Sequence, residues 1–323
     1  MDLSVFGLIG ERLFFQVDDI WTSINKKKIY SHHNLYSEQK SITMSAKRIL
    51  HALTQHSSKS TNFMYKYVPE ALVSPSEGIA YNYLDLAKQV TDTSKGLLQS
   101  GYGPNTRIAA CLPNLSSNVI LQLSCAITGT TLITNKIPEE LDDVAKSFDC
   151  KGIYDYHLTM SAGQKSGISS KDIHTATGNE EFAYYNAGKK ETTLDSLMAL
   201  ADTTAKHFNM NEEDTICVPV SLNHTMGMAF GILPALLSGS TVVLPSGTPD
   251  PELLVNALRD QQATLFVGDT HLVKAVNELG ADEKLAKYAL RGGLIKIGSG
   301  EIISTEETRD VLGVTFDTVG IAK

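Results

Sequence analysis

The chain has 323 residues, 42% of them hydrophobic and 20% charged, a composition that excludes a disordered tail or a collagen-like fibre and gives enough length for two packed units. Lys and Arg number 28 against 36 Asp and Glu, a formal charge of -8, which is the wrong sign for a protein that lives on phosphate backbones. Cys111, Cys125, Cys150 and Cys217 form no CxxC pair and three lie in apolar runs, so they are expected to be buried reduced thiols rather than a disulfide framework or a zinc site.

From Met1 to Val17, Leu3, Phe6, Ile9, Leu13, Phe14 and Val17 recur at helical spacing and predict an amphipathic helix in need of a surface. Residues 21–67 are basic and rich in hydroxyls, with Lys26, Lys27, Lys28, Lys40, Lys47, Arg48, Lys59 and Lys66 against Glu38. That composition resembles an organelle-targeting segment, although Asp2, Glu11, Asp18 and Asp19 depart from the usual acid-poor start. Residues 1–75 therefore read as an N-terminal extension, a docking helix followed by a basic segment.

A regular α/β pattern is expected over 76–323, in two parts of about 76–160 and 194–323. In the first, helix 83–100 with its glycine stop at Gly101 is followed by strand 107–112, helix 118–128, strand 129–134, helix 141–148 and strand 152–156. Periodicity fails between Thr159 and Thr193, where Ser, Thr and Gly predict a loop. The second part reads as helix 194–208, strand 214–220, helix 226–237, strand 241–244, helix 251–261, strand 264–267, helix 270–279, a helical turn at 285–290, strand 293–298 and helix 305–312. Alternating strands and helices with short connections imply right-handed crossovers and a largely parallel sheet. Residues 108–135 and 215–249 lack Asp, Glu, Lys and Arg, but Pro113, Asn114, Ser116, Pro219, Asn223 and Pro234 interrupt them. A bilayer span needs about 20 predominantly apolar residues, so no transmembrane span is expected.

The order of segments resembles the large domain of the acyl-adenylate-forming superfamily, which includes acyl-CoA synthetases, luciferases and the adenylation domains of peptide synthetases. The resemblance rests on residues 83–86 with Gly101-Tyr102-Gly103-Pro104, on Leu112-Pro113-Asn114 with Ala126-Ile127-Thr128-Gly129, on Pro219 through His224 to Gly227, on Leu237-Ser238-Gly239-Ser240-Thr241, and on Leu290-Arg291 with Gly298-Ser299-Gly300-Glu301. It implies an α/β fold of two sheet subdomains, with an N-terminal extension and without the family's C-terminal domain. The family's ribose-binding Asp, hinge and mobile domain with the catalytic Lys would all follow residue 323.

Such enzymes join a carboxylate to ATP, and a Gly/Ser/Thr-rich loop holds the phosphates. The corresponding stretch, residues 182–193, keeps Gly188 but lacks the Pro-Lys-Gly end, and Glu191 would add negative charge beside phosphates. Lys189 and Lys190 there would attract an anion, although paired loop lysines are ordinarily just solvated. The family's Tyr-Gly-x-Thr-Glu segment, which packs on adenine and holds the metal, corresponds to Val319-Gly320-Ile321-Ala322-Lys323. Gly320 is kept, Val319 replaces the aromatic, and Lys323 replaces the carboxylate; a lysine cannot hold magnesium. The resemblance also implies a residual acyl pocket at His224, with Gly227 and Gly231 leaving space. The plainer alternative is a structural histidine beside packing glycines.

Other motifs fall short. Gly298-Ser299-Gly300 is flanked wrongly for a nucleophile elbow, and no P-loop or HExxH occurs. His32-His33 is a bare pair, and the acidic runs at 139–140, 142–143 and 212–214 stand where predicted elements begin. No metal and no cofactor is expected. The expectation is a non-catalytic structural accessory subunit of a large protein assembly, with partner subunits meeting residues 1–75 and the truncated C-terminal face. A mitochondrial respiratory-chain or ATP synthase complex, peripheral to the membrane, is the suggested setting, with the cytoplasm as the alternative. The competing expectation is an acyl-, CoA- or nucleotide-binding subunit or half-enzyme.

Overall fold

The computed structural model describes residues 35–60, 69–169, 173, 181–184, 190–279, 289–296, 314 and 316–319; for 35–44, 58–60, 181–191 and 277 it describes the backbone alone. The predicted helix at 1–17, the turn at 285–288 and the helix at 305–312 lie outside these residues.

Two sheets carry the chain. The first contains β1 (Glu70–Ser74), β2 (Ile79–Asn82), β8 (Thr215–Cys217), β9 (Thr241–Val243), β10 (Leu265–Asp269), β11 (Gly292–Lys296) and β12 (Asp317–Val319), in the order β12-β11-β10-β8-β9-β1-β2. The second contains β3 (Arg107–Ala110), β4 (Thr131–Thr134), β5 (Gly152–Ile153), β6 (Glu181–Tyr184) and β7 (Lys190–Thr193), in the order β5-β3-β4-β6-β7. All neighbours are parallel except the hairpins β1–β2 and β6–β7. Because β1 pairs with β9 through Leu72 and Val73, the first sheet begins ahead of Ser76 and draws on both ends of the chain.

The basic segment contains an element the sequence reading did not anticipate. Helix α1 (Leu35–Ser60) buries Ala46, Ile49, Ala52, Leu53 and His56 at three- and four-residue spacing, with Ile49 fully enclosed. Burying each such Ile or Leu is worth about 1.5–3 kcal/mol, so the helix is held by its apolar stripe while Lys47 and His51 stay exposed. It docks on α2 (Tyr83–Gln99) and α6 (Leu194–His207). There Ser45 Oγ donates to Asp195 at 2.6 Å, and Arg48 grips both carboxylate oxygens of Asp202 at 2.5 and 2.8 Å.

Most of the other helices start where a side chain caps them. The helices besides α1, α2 and α6 are α3 (Ser116–Thr128), α4 (Leu141–Ser147), α5 (Tyr156–Gln164), a continuous α7 over 225–238, α8 (Pro251–Asp260) and α9 (Thr270–Glu278). The side chains of Asn82, Asp155, Thr193 and Asp250 accept a free first-turn N–H, from Asp85, Leu158, Ser196 and Leu253, of α2, α5, α6 and α8. Helix α3 is capped from outside: the Glu77 carboxylate accepts from Ser116 N–H at 2.8 Å and Ser116 Oγ–H at 3.0 Å.

The stretch 159–193, expected to be loop, holds the end of α5 and the β6–β7 hairpin. Helix α5 exists because glycines let it lie against α2: a Cβ on Gly163 would strike the Asp92 carbonyl, and one on Gly96 the Thr159 carbonyl. The main core unites α1, both sheets and the helices between them, including Ile108, Leu121, Leu132, Leu197, Val218, Phe266 and Phe316. No helix among the described residues is long and apolar enough to cross a membrane.

Candidate functional site

In open parallel sheets, ligands bind beyond the carboxyl ends of the strands. At that end of the first sheet, the chain leaving β8 runs through Val218–His224 before entering α7. A buried amide fixes this segment. Asn114 Oδ1 accepts from Leu222 N–H at 2.8 Å, and Asn114 Nδ2 donates to the carbonyls of Val220 at 2.7 Å and Pro219 at 3.2 Å. Alongside it, Asn118 Nδ2 donates to Asn223 Oδ1, Asn223 Nδ2 to the Leu112 carbonyl, and Gln122 Nε2 to the Leu222 carbonyl. The turn before α3 and the segment before α7 are thus one hydrogen-bonded unit across the two sheets. Sequence reasoning picked out Leu112-Pro113-Asn114 without seeing this role; the signal was polar amides at 114, 118 and 122 inside an otherwise apolar run.

His224 sits half-buried at the end of that unit as the cap of α7. Its Nδ1 accepts from Met226 N–H at 3.1 Å. With Nδ1 an acceptor, the neutral ring carries its proton on Nε2. In that tautomer Nε2 is not poised as a base.

Gly227 and Gly231 do not leave the space expected of them. A Cβ on Gly231 would lie 2.8 Å from Val218 Cγ2, and one on Gly227 2.8 Å from the Ser221 carbonyl. The room beside both glycines is filled by the 218–222 segment, so they serve close packing. Helix α7 also widens to a π turn over Met228–Ile232 ahead of Pro234. Proline has no N–H for the Phe230 carbonyl and its ring would clash there, which the wider turn relieves.

The expected phosphate stretch resolves into strand and cap. Phe182 pairs with Thr192, Ala183 with Glu191 and Tyr184 with Lys190 across the β6–β7 hairpin, so Lys190 and Glu191 are strand residues. Only residues 185–189 remain to join the strands, and they offer one glycine and no Ser or Thr; Gly188 and Lys189 lie outside the described residues. Of the nearest threonines, Thr193 caps α6 and Thr192 is buried.

At the other position expected for the nucleotide, Val319 ends β12 opposite Lys296 and is packed in the main core. A core valine there presents no ring face to a purine. Gly320 and Lys323 lie outside the described residues. Strand β12 is tied to α6 by His207 Nε2 and Asp317 Oδ2 at 2.6 Å. The structure thus distributes the expected residues over separate elements: Lys190 in the second sheet, Val319 in the first, and His224 at the head of α7.

The strongest polar cluster stands at the opposite, amino end of the first sheet. Asp214, 4% exposed, receives Arg291 Nε and Nη2, each at 2.8 Å, and Thr264 Oγ1 at 2.7 Å. Burial alone would raise its carboxyl, but the hydrogen bonds from Arg291, Thr264 and the Asn211 N–H outweigh it and hold the group below the usual range. These residues precede β8, β10 and β11 and staple the sheet; Arg291, part of the family resemblance, has this structural task. No group of three or more His, Cys, Asp or Glu able to hold a metal occurs among the described residues.

The model of the AMP-binding enzyme family matches residues 191–319. The acyl-CoA ligase sidI of Aspergillus fumigatus is 22% identical over 282 residues, covering 70% of this chain and 48% of the ligase. The acyl-CoA ligase SID4 of Ajellomyces capsulatus is 26% identical over 206 residues, covering 62% and 31%. Among solved structures, the N-terminal domain of FACL13 from Mycobacterium tuberculosis superimposes with a TM-score of 0.66 at 13% identity, covering 85% of this chain and 75% of that one. The chain is similar to the AMP-binding enzyme family over residues 191–319 and has the fold of the FACL13 N-terminal domain. Its two sheets are those of the large domain of such structures, and its sequence is similar to acyl-CoA ligases. It spans about half or less of the length of these curated relatives.

Proposed function

We propose that this adenylate-forming domain does not activate carboxylates itself and serves as a structural accessory subunit of a larger protein assembly. The observation that carries the reading is the β6–β7 connection. Holding a triphosphate takes several backbone N–H groups and hydroxyls converging on its oxygens. Five residues with a single glycine and no Ser or Thr, next to a Thr193 already spent on capping α6, do not supply them. The core valine at the adenine position points the same way. Partner contacts are assigned to residues 1–75, and a mitochondrial setting rests on the basic, hydroxyl-rich composition of residues 21–67.

The deciding experiment is carboxylate-dependent exchange of labelled pyrophosphate into ATP, run with short, medium and aromatic acids, together with calorimetric titration of ATP-Mg. No exchange and no ATP binding are expected. Exchange that depends on any acid overturns the proposal. For the assembly, the native mass of the endogenous protein should far exceed one 35.1 kDa chain; a lone monomer in its native extract removes that half of the reading.

A second reading has one specific observation in its favour, the similarity to proteins named acyl-CoA ligases. In it the chain is an acyl-, CoA- or nucleotide-binding subunit or half-enzyme, and binding of acyl-CoA or a fatty acid without pyrophosphate exchange would support it.

A further inference from the structure

We infer that the groove between α1 and α6 is a binding site for a small organic anion. The groove is open to solvent and offers about 470 Å³, a volume within the range of about 300–1,000 Å³ found for small-molecule sites. None of its lining residues belongs to the β6–β7 hairpin or to the His224 segment.

Two helices build it with matched spacing. Helix α1 contributes Arg48 and, one turn on, His51; helix α6 contributes Asp202 and, one turn on, Lys206. Arg48 and Asp202 neutralise each other through their two-pronged contact. No ion pair found among the described residues takes up Lys206. The groove therefore carries net positive charge on a chain whose formal charge is -8. Met210 and Leu237 supply apolar wall. In a mostly polar lining, a cation beside these apolar patches favours an anion that carries a small apolar body over a bare ion. A carboxylate or a phosphate head group meets that requirement equally.

The test uses the full chain labelled with 13C at the methionine methyls, with the Met210 signal assigned through Met210→Leu. Benzoate, phenyl phosphate and inorganic phosphate are titrated separately. The Met210 methyl should shift and saturate at millimolar benzoate or phenyl phosphate, and whichever of the two binds tighter identifies the head group. Inorganic phosphate, lacking the ring, should bind about tenfold more weakly, and Lys206→Glu should weaken both aromatic ligands about tenfold, with Lys206→Gln intermediate. Met226 and Met228, beside His224, should not move. The inference falls if Met210 shows no saturable shift up to about 20 mM ligand, if Lys206→Glu binds as the parent does, or if Met226 and Met228 respond in place of Met210. That last result would place binding at the His224 segment and support the acyl-binding reading instead.

Discussion

Asn114 and Leu222, 108 residues apart, are joined by a buried hydrogen bond of 2.8 Å from the Leu222 N–H to the Asn114 side-chain oxygen. Two further bonds leave the same amide for the Val220 and Pro219 carbonyls, so one side chain registers the turn before α3 against the segment that carries His224. Replacing Asn114 by Ala leaves three backbone groups without their partner, at about 1–3 kcal/mol for the least solvated of them. Asn114→Ala should lower the unfolding free energy by about 2–4 kcal/mol in urea titration. Asn114→Asp keeps the acceptor but loses both donated bonds and should be no better. A loss below about 0.5 kcal/mol would show that the segment holds its place without the amide.

The packing at Gly231 makes a sharper claim, because it names the obstacle. Gly231→Ala should cost about 1–3 kcal/mol by driving a methyl into Val218. Combined with Val218→Ala, which removes the obstructing methyls, the double variant should be more stable than the sum of the two single losses predicts. Strict additivity would mean that the strain lies in the π turn rather than against Val218.

Asp214 gives the fold a predicted acid limit. A carboxyl held below its ordinary range in the folded state binds its proton more readily when unfolded, so its stabilisation is complete above the unfolded value and fades as pH falls through the folded one. Unfolding free energy should therefore decline below about pH 4. Asp214→Asn should be less stable near neutral pH and should show a shallower decline in acid. If the variant and the parent lose stability with the same slope, other carboxylates set the acid limit.

Helix α1 is held by burial, not by its ion pair. Arg48 and Asp202 are 40% and 50% exposed, and an exposed pair contributes about 0–1 kcal/mol. Ile49 is fully enclosed. Arg48→Ala should change stability by about 1 kcal/mol or less, whereas Ile49→Ala should cost about 2–5 kcal/mol and speed hydrogen exchange along α6. The reverse ranking would make the ion pair the clasp.

How much of this was legible in the sequence depends on what holds each element. Helices 83–99, 194–207 and 251–260 and strands 131–134, 241–243 and 292–296 stand within a few residues of where periodicity and β-branching put them, because a cap or a glycine marks their ends and a core face marks their phase. Helix α1 was hidden because its stripe is built from Ala46, Ile49, Ala52 and Leu53 among lysines and serines, and small residues carry little hydropathic contrast. Strand β1 was hidden for a different reason: Glu70–Ser74 has buried residues at four of its five positions, and its partner, β9, lies about 170 positions away, which no local pattern encodes. At the candidate site, His224 and its glycines were visible as letters. Their tasks, a helix cap and close contacts with Val218 and Ser221, emerge only when the 218–222 segment folds back beside them.

The cysteines test the same division between burial and chemistry. Cys125 and Cys217 are fully buried, and burial pushes both thiols far above their ordinary range. Cys150 is half-buried, its thiol pushed up to about 11 chiefly by burial, and Cys111 is raised for the same reason. The thiolate is the reactive form, so none of the four should react quickly with a disulfide reagent near neutral pH. In the native protein at about pH 8, just below the ordinary thiol range, Cys111 and Cys150 should label slowly, faster as pH rises. Cys125 and Cys217 should label only at the rate of global unfolding, and all four should react at once in denaturant. Mass spectrometry of the labelled peptides over time checks this. Fast modification of Cys125 would show that α3, and with it the turn anchored by Asn114, opens far more readily than its packing allows, and fast modification of Cys217 would say the same of the centre of the first sheet.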